Sequence, residues 1–411
     1  MSRNAVTPFR GAGALAESFP AGWDTLEHFE RYLDGEAPDF DDFYGFDHVE
    51  LAIDHGARAT GHHFLWALKQ GAARDDLLVE YAADAPGESR SDEWWQIYRP
   101  PYDARFHSTQ FVAERTIDFI ETAAQGDAPW LAWCSFPDPH HPMTPPGEYF
   151  DRHDPANMPL PPTRHDALAD APDHLKVFRG VHPREQRNWV APCGYGNDNL
   201  LREAIAATYG MIEMIDDGVG RVLATLDRLG VRDDTIVVFT SDHGDMMGDH
   251  GLFLKGFMHY RGTLQVPLVV DAPGRDAGRT DALASTVDLA TTVLDLCGQP
   301  QFDGMQGVSL APTLASPAIR VRDDVLIEDD IATVVSRLTP IPAKTRTLVT
   351  ERFRYTRNSK GEEQLFDLRD DPDEMNDLKA VDASVRSMLL ERMTDALLAA
   401  DDAARGAPVT H

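Results

Sequence analysis

The sequence predicts an α/β protein: a mixed, mostly parallel sheet flanked by helices, with a small α+β subdomain behind it. Three observations predict it. Apolar runs, Ile236-Val237-Val238-Phe239 and Trp130 to Phe136, read as strands. Amphipathic segments with helical spacing precede both runs. Each run then ends in an Asp/His cluster, and an open α/β sheet binds its ligands outside the carboxyl ends of its strands.

Residues 1–22 show no periodicity. Trp23 to Tyr32 can form a short helix, 34–42 is an acidic loop, and His62 to Lys69 is a helical fragment. The polar stretch 82–92 reads as a surface loop. Residues 108–124 place Phe111, Thr116, Phe119 and Ile120 near one helical face and lead through Gly126-Asp127 into the Trp130 strand. From 142 to about 195 the chain is dense in Pro, Asp and His. A loop that long is expected to wall a cleft and set substrate choice. Asn199 to Leu229 reads as a long helix capped by Gly230, ahead of the Ile236 strand. A strand at 266–270 and a helix at 286–296 come next.

Near 315–325 the character changes. Short strands at 345–350, 353–357 and 364–368 and a helix from Ala383 to Ala400 form the tail. The expected division is 1–318 for the α/β domain and 319–411 for the small subdomain.

Of the 411 residues 42% are hydrophobic, enough for a core. No stretch is long and apolar enough to span a membrane, and the first residues lack the apolar run of a signal peptide. Three scattered cysteines give no disulfide framework, which points to a reducing, cytoplasmic setting. Net charge is 38 − 68 = −30, which argues against nucleic acid and anionic membranes as partners. There are six lysines, and one of them, Lys255, comes directly after the Asp/His loop.

The chemistry concentrates in Thr235 to Lys255, TIVVFTSDHGDMMGDHGLFLK. Asp242 and His243 stand where the strand ends, and Lys255 closes the loop. A carboxylate and an imidazole with an ammonium nearby suit a metal bound to a tetrahedral anion. Alone, Asp242-His243 could equally be a polar turn capping a helix, and a lone lysine is normally a solvated surface group. The second cluster is Pro137-Asp138-Pro139-His140-His141-Pro142, whose prolines end the strand and stiffen the turn beyond it. Asp249-His250-Gly251 reads as loop scaffolding, and Asp54-His55-Gly56 as a chance echo with no comparable strand before it. Trp94-Trp95 read as packing residues, with lining of the substrate mouth as the alternative, and Arg261 as a salt-bridge partner for the acidic surface, with anion binding as the alternative.

These segments resemble the sulfatase family of the alkaline-phosphatase superfamily. The matching pieces are Phe239 to Asp245, Gly248 to Gly256, Val266-Pro267-Leu268, the Ser135 to His140 run, the Ala207 to Gly220 helix, Thr286 to Ala290, and Gln364 to Leu368 through Asp371-Pro372 to Glu374. The resemblance implies that Asp242 and His243 are metal ligands. It implies that His140, directly after Pro139, contacts the sulfate ester and can protonate the leaving oxygen, and that Lys255 holds the sulfate oxygens. The implied cofactor is a divalent metal, calcium, with manganese as the alternative. The implied partner is a small-molecule or carbohydrate sulfate ester.

The family's nucleophile is a Cys or Ser in Cys/Ser-x-Pro/Ala-x-Arg, converted to formylglycine, and none of the three cysteines, Cys134, Cys193 and Cys297, stands in such a motif. The family's opening strand with its pair of metal-binding aspartates is not recognisable either. The expectation is a sulfuric ester hydrolase whose activity is impaired in this chain. The alternatives are a phosphonate monoester or phosphodiester hydrolase of the same superfamily, or a non-catalytic remnant. Oligomeric state has no signature in the sequence.

Overall fold

The computed structural model describes residues 25, 27–37, 43–85, 88–188, 190–302, 304–380 and 382–404. The expectations for 1–22, for Trp23 and Asp24, and for parts of the 34–42 and 82–92 loops lie outside the described residues. The chain divides into two compact units. One comprises Met1–Pro159, Pro183–Ala191 and Gly196–Arg232, the other Leu160–His182, Pro192–Tyr195 and Asp233–His411. The boundary expected at 318 falls inside the second unit.

Among the described residues the first unit is organised by three longer helices, α1 (His62–Lys69), α2 (Ser108–Ala123) and α3 (Asp198–Leu229), beside a single turn at Arg74–Leu77. Their sequences explain their limits. Asn197 Oδ1 caps α3 by accepting the backbone N–H of Asn199 at 2.9 Å and of Leu200 at 3.0 Å. Gly230, at φ 70°, closes it in the left-handed conformation. Leu200, Leu201, Met211 and Met214 are fully buried along one face of α3. Each such side chain contributes about 1.5–3 kcal/mol relative to exposure. Gly210 lets α3 lie against the Tyr149 carbonyl, where a Cβ would collide. Tyr149 then donates to Asp217 at 2.6 Å. A second apolar group gathers Ala57, Phe64, Leu77, Tyr98 and Phe106 around α1.

The second unit holds a two-stranded ladder, β1 (Val237–Thr240) with β2 (Leu268–Asp271), then α4 (Asp288–Leu296). Beyond them lies a four-stranded sheet: β3 (Asp324–Asp330), β4 (Lys344–Thr350), β5 (Phe353–Asn358) and β6 (Glu363–Asp367), in sequential order. Helix α5 (Ala383–Ala404) covers it, with Leu389 and Met393 against Leu348, Tyr355 and Leu365.

The α/β class holds, and the helices expected at 62–69, 108–124, 199–229, 286–296 and 383–400 form within a few residues of those limits, whereas the one expected from Trp23 to Tyr32 is described only as a 3-10 turn, Phe29–Tyr32. Three elements differ. The ladders between named strands are all antiparallel among the described residues. Residues 130–136 form no ladder, and Leu131 and Trp133 are 66% and 75% exposed. Strand β1 is half-exposed rather than buried, with Phe239 open to solvent. An apolar run becomes a buried strand only when neighbours pair its backbone and cover both faces, and the described residues supply neither for 130–136. The 142–195 stretch resolves into short 3-10 turns, one α-helix, Asp173–Gly180, and a two-residue strand, Cys193–Gly194, that pairs antiparallel with Leu252–Phe253.

Candidate active site

In the second unit β1 ends at Thr240 and the chain turns sharply through Ser241 to Gly244. Gly244 is required there: its N–H donates to Thr263 O at 2.9 Å, and a Cβ would sit on the Gly262 carbonyl oxygen. The tight turn presents two side chains together. Asp242 Oδ2 lies 3.4 Å from His243 Nε2, and both side chains face solvent. Asp242 Oδ1 accepts the His243 backbone N–H at 2.9 Å. His243 Nδ1 donates to Gly244 O at 2.8 Å, which leaves Nε2 as the nitrogen turned to the carboxylate.

The loop beyond is closed by its own backbone. Met246 N–H donates to Leu254 O at 2.9 Å and Gly248 N–H to Leu252 O at 2.8 Å. Asp245 Oδ1 takes the N–H groups of Met247 (2.8 Å) and Leu254 (3.2 Å). The closure returns the chain to its start, so Lys255 reaches the field of the carboxylates. Burial lowers the Lys255 ammonium to about 8, while Asp245 and then Asp242 pull it back up. Burial raises Asp245 above the usual carboxylate range against the opposing N–H bonds, Lys255 and His243. Asp242, His243, Asp245 and Lys255 therefore form one electrostatic group.

The neighbouring Asp249-His250-Gly251 is scaffolding, as its sequence suggested. His250 is buried, its Nδ1 is 2.7 Å from Asp166 Oδ2, and its ring stacks on Tyr260 at 3.9 Å. Arg261 differs from expectation: its Nε donates to Gln265 at 2.7 Å, with no carboxylate engaged by its side chain among the described residues.

His140 belongs to the first unit. Its backbone N–H donates to Pro137 O at 3.3 Å, and its Nδ1 donates to the His141 carbonyl in a short bond. The rings of His141 and His55 lie 4.0 and 3.9 Å from its own. Below the turn, Asp138 is buried with its Oδ2 3.6 Å from His107 Nε2. Burial holds the Asp138 carboxyl far above its ordinary range and pushes His107 down to about 3, so the pair is held toward its neutral form. Trp94 and Trp95 pack as expected, their indole N–H groups both donating to Gln186.

Two residues escaped sequence reasoning. Asp245 looked like part of a motif's spelling, although an acidic residue two positions before a loop N–H is a known turn signal. His55 reads in the sequence as part of a chance echo, Asp54-His55-Gly56, because a ring contact with His140 across 85 residues of chain has no local pattern.

Comparison with known proteins identifies the family. The sulfatase family model matches residues 19–299, more than half of the chain. A model of the N-sulphoglucosamine sulphohydrolase C-terminal region matches 248–401. The chain is 31% identical over 285 residues to an arylsulfatase of Clostridium perfringens, covering 67% of this chain and 54% of that protein. It is 29% identical over 301 residues to the uncharacterized sulfatase YidJ of Escherichia coli, covering 72% and 56%. It thus spans about half the length of these curated relatives. Among solved structures, the phosphonate monoester hydrolase of Agrobacterium radiobacter superposes with a TM-score of 0.68 at 27% identity, over 82% of this chain and 69% of that one. The chain belongs to the sulfatase family.

Proposed function

We propose that this chain carries the anion-gripping part of a sulfuric ester hydrolase acting on the sulfate ester of a small molecule or carbohydrate. One observation carries the reading: the loop that leaves β1 is closed by its own backbone, with Asp245 Oδ1 holding the Leu254 N–H, so that Lys255 returns to the carboxylates of Asp242 and Asp245. A partly desolvated ammonium with three donors is suited to sulfate oxygens, because its charge is less screened than in water.

In this reading Lys255 binds and orients the sulfate group. His140 holds the proton for the leaving alcohol oxygen on Nε2, since its Nδ1 is committed to the His141 carbonyl. Asp242 and His243 fit as two ligands of a divalent cation, calcium or manganese. The Gly244 carbonyl on His243 Nδ1 is the kind of outer contact that orients a ligating imidazole. Such a cation, when bound, neutralises charge on the ester oxygens. Two donors are a partial set, since calcium takes about six to eight oxygens. Among the described residues no group of three or more His, Cys, Asp or Glu is arranged to hold a metal.

None of the three cysteines stands in Cys-x-Pro/Ala-x-Arg, and the one serine with that spelling, Ser316 in Ser316-Pro317-Ala318-Ile319-Arg320, comes some sixty residues after Lys255 rather than ahead of Asp242. Members of a catalytic unit act non-additively, so turnover by this chain alone should fall far below the usual range of about 1–1000 per second. The test compares the chain with a version extended by its in-frame upstream coding sequence, on an aryl sulfate and an aryl phosphonate. Faster aryl sulfate turnover by the extended version supports the proposal. Faster phosphonate turnover favours phosphonate monoester hydrolysis, which the Agrobacterium likeness recommends as the second reading. Activity on neither leaves a non-catalytic role.

A further inference from the structure

We propose that His174 and Asp329 are positioning residues for Lys255: together they clamp the backbone of Phe257, and the clamp sets the direction in which Lys255 leaves its loop. The inference rests on the role proposed above for Lys255. The chain is left-handed on both sides of Lys255, with φ 72° at Leu254, 94° at Gly256 and 62° at Phe257. Glycine adopts that region freely, but in leucine and phenylalanine the Cβ crowds the following carbonyl oxygen. Such a backbone persists only where its neighbours over-determine it. Leu254 is held at its N–H by Asp245 Oδ1 and at its carbonyl by the Met246 N–H. Phe257, beyond Lys255, needs a hold of its own.

Two side chains from distant parts of the second unit supply it. The Phe257 N–H donates to Asp329 Oδ2 at 3.1 Å, and the Phe257 carbonyl accepts from His174 Nε2 at 2.8 Å. His174 is buried in the helix Asp173–Gly180, its ring edge-on to Phe178 at 5.9 Å. Burial holds the imidazole below its ordinary value, with His259 and Lys360 adding to the effect and the Phe257 carbonyl and Glu362 opposing it. The ring is therefore neutral, and its one proton sits on Nε2, facing the carbonyl. Asp329 is fixed in its turn. It lies on β3 opposite Thr345 of β4, and its Oδ2 is 3.6 Å from His259 Nε2. His259 Nδ1 is 2.7 Å from Thr347 Oγ1, again on β4.

The consequence is specific. Met258, His259 and Tyr260 are buried on one side of Phe257, and Leu254 is buried on the other side of Lys255. A backbone change at Phe257 is therefore taken up at Lys255 and Gly256. Loss of the His174 donor lets Phe257 leave the left-handed region, and the Lys255 ammonium turns away from Asp242 and Asp245. A His174 that only packed would cost stability on removal and leave Lys255 in place.

The test uses the full chain with its six lysines carrying 13C at Cε, and Lys255→Met identifies the Lys255 signal. In the wild type that signal is expected to stand apart from those of exposed lysines, with two inequivalent ε protons. His174→Leu should move it to the exposed-lysine position and merge the two protons. His174→Gln, whose amide nitrogen can donate to the same carbonyl, should keep the wild-type signal. Inorganic sulfate titrated into the same proteins should bind His174→Leu roughly 10- to 100-fold more weakly, the loss of one charge-assisted hydrogen bond. An unchanged Lys255 signal or an unchanged sulfate affinity in folded His174→Leu overturns the proposal, as does a His174→Gln that behaves like His174→Leu. If His174→Leu does not fold, Asp329→Ala against Asp329→Asn, which keeps an acceptor for the Phe257 N–H, decides on the same criteria. A wild type whose sulfate binding is absent or independent of Lys255 refutes the anion-gripping reading, and the Lys255 signal alone then decides the positioning role.

Discussion

The carboxylate of Asp245 accepts the backbone N–H of Leu254 at 3.2 Å, and Lys255 is the next residue. The same Oδ1 holds Met247 N–H at 2.8 Å, so one oxygen fastens both ends of an eight-residue loop. Asp245→Ala should therefore lower unfolding free energy by about 1–3 kcal/mol, the cost of leaving shielded N–H groups without an acceptor. Asp245→Asn keeps Oδ1 and should lose less than half of that. Urea denaturation of the two variants checks it, and equal losses would rule out the fastening role.

Lys255 carries a pH signature. Its folded value, about 8, lies below its ordinary 10.5. Between those two values the unfolded chain binds more protons than the folded one, so this group's contribution to stability rises with pH across that window. It is fully present above 10.5 and lost as pH falls through about 8. Lys255→Met should flatten the rise in unfolding free energy measured from pH 7 to 10. It should also abolish binding of inorganic sulfate, which in the wild type should weaken as pH passes about 8.

The Asp138–His107 pair makes the complementary forecast. The raised Asp138 carboxyl stabilises the fold below its ordinary value near 3.8, and that contribution is lost as pH rises through the higher folded value. The depressed His107 contributes above 6.5, and its share is lost as pH falls through about 3. Asp138→Asn, uncharged at every pH, should remove the decline on the alkaline side of pH 4 at little cost in stability. Asp138→Ala should flatten the pH dependence in the same way but cost more than Asp138→Asn, because it opens a hole in the buried site beside His107. Urea melts between pH 4 and 8 distinguish them.

Arg354 and Glu374 are both 1% exposed in their side chains and form a charge-assisted bond, with the guanidinium over the rings of Phe366 and Tyr260 at 4.6 and 5.1 Å. Glu374 also accepts the backbone N–H of Arg261 at 2.7 Å. Glu374→Ala should cost about 3–5 kcal/mol, because a buried cation is left without its counter-charge. Arg354→Met together with Glu374→Leu should recover most of that loss. A melting series of single and double variants measures the coupling.

The helices were legible because their period and caps are local: Asn197 and Gly230 bracket α3 in the sequence as they do in space. The Asp242, His243 and Lys255 group was legible because a strand end and a short loop bring the three residues together. Strand β3 was missed, since its acidic run Asp324 to Asp330 takes its order from pairing with β4 rather than from its own composition. The 130–136 run was misjudged for the opposite reason: its composition favours a strand, and the described residues provide no ladder for it. His55 and Asp138 depend on tertiary neighbours, His140 and His107, that no sequence window contains.

The solvent-facing indole of Trp133 gives the molecule an optical reporter. Trp94 and Trp95 are shielded, so acrylamide should quench the Trp133 emission well ahead of theirs. Iodide should quench it poorly, because a chain of net charge −30 repels the anion. Any polypeptide or ligand that covers the 130–136 segment should announce itself as a blue shift and a loss of acrylamide access, without a label being added.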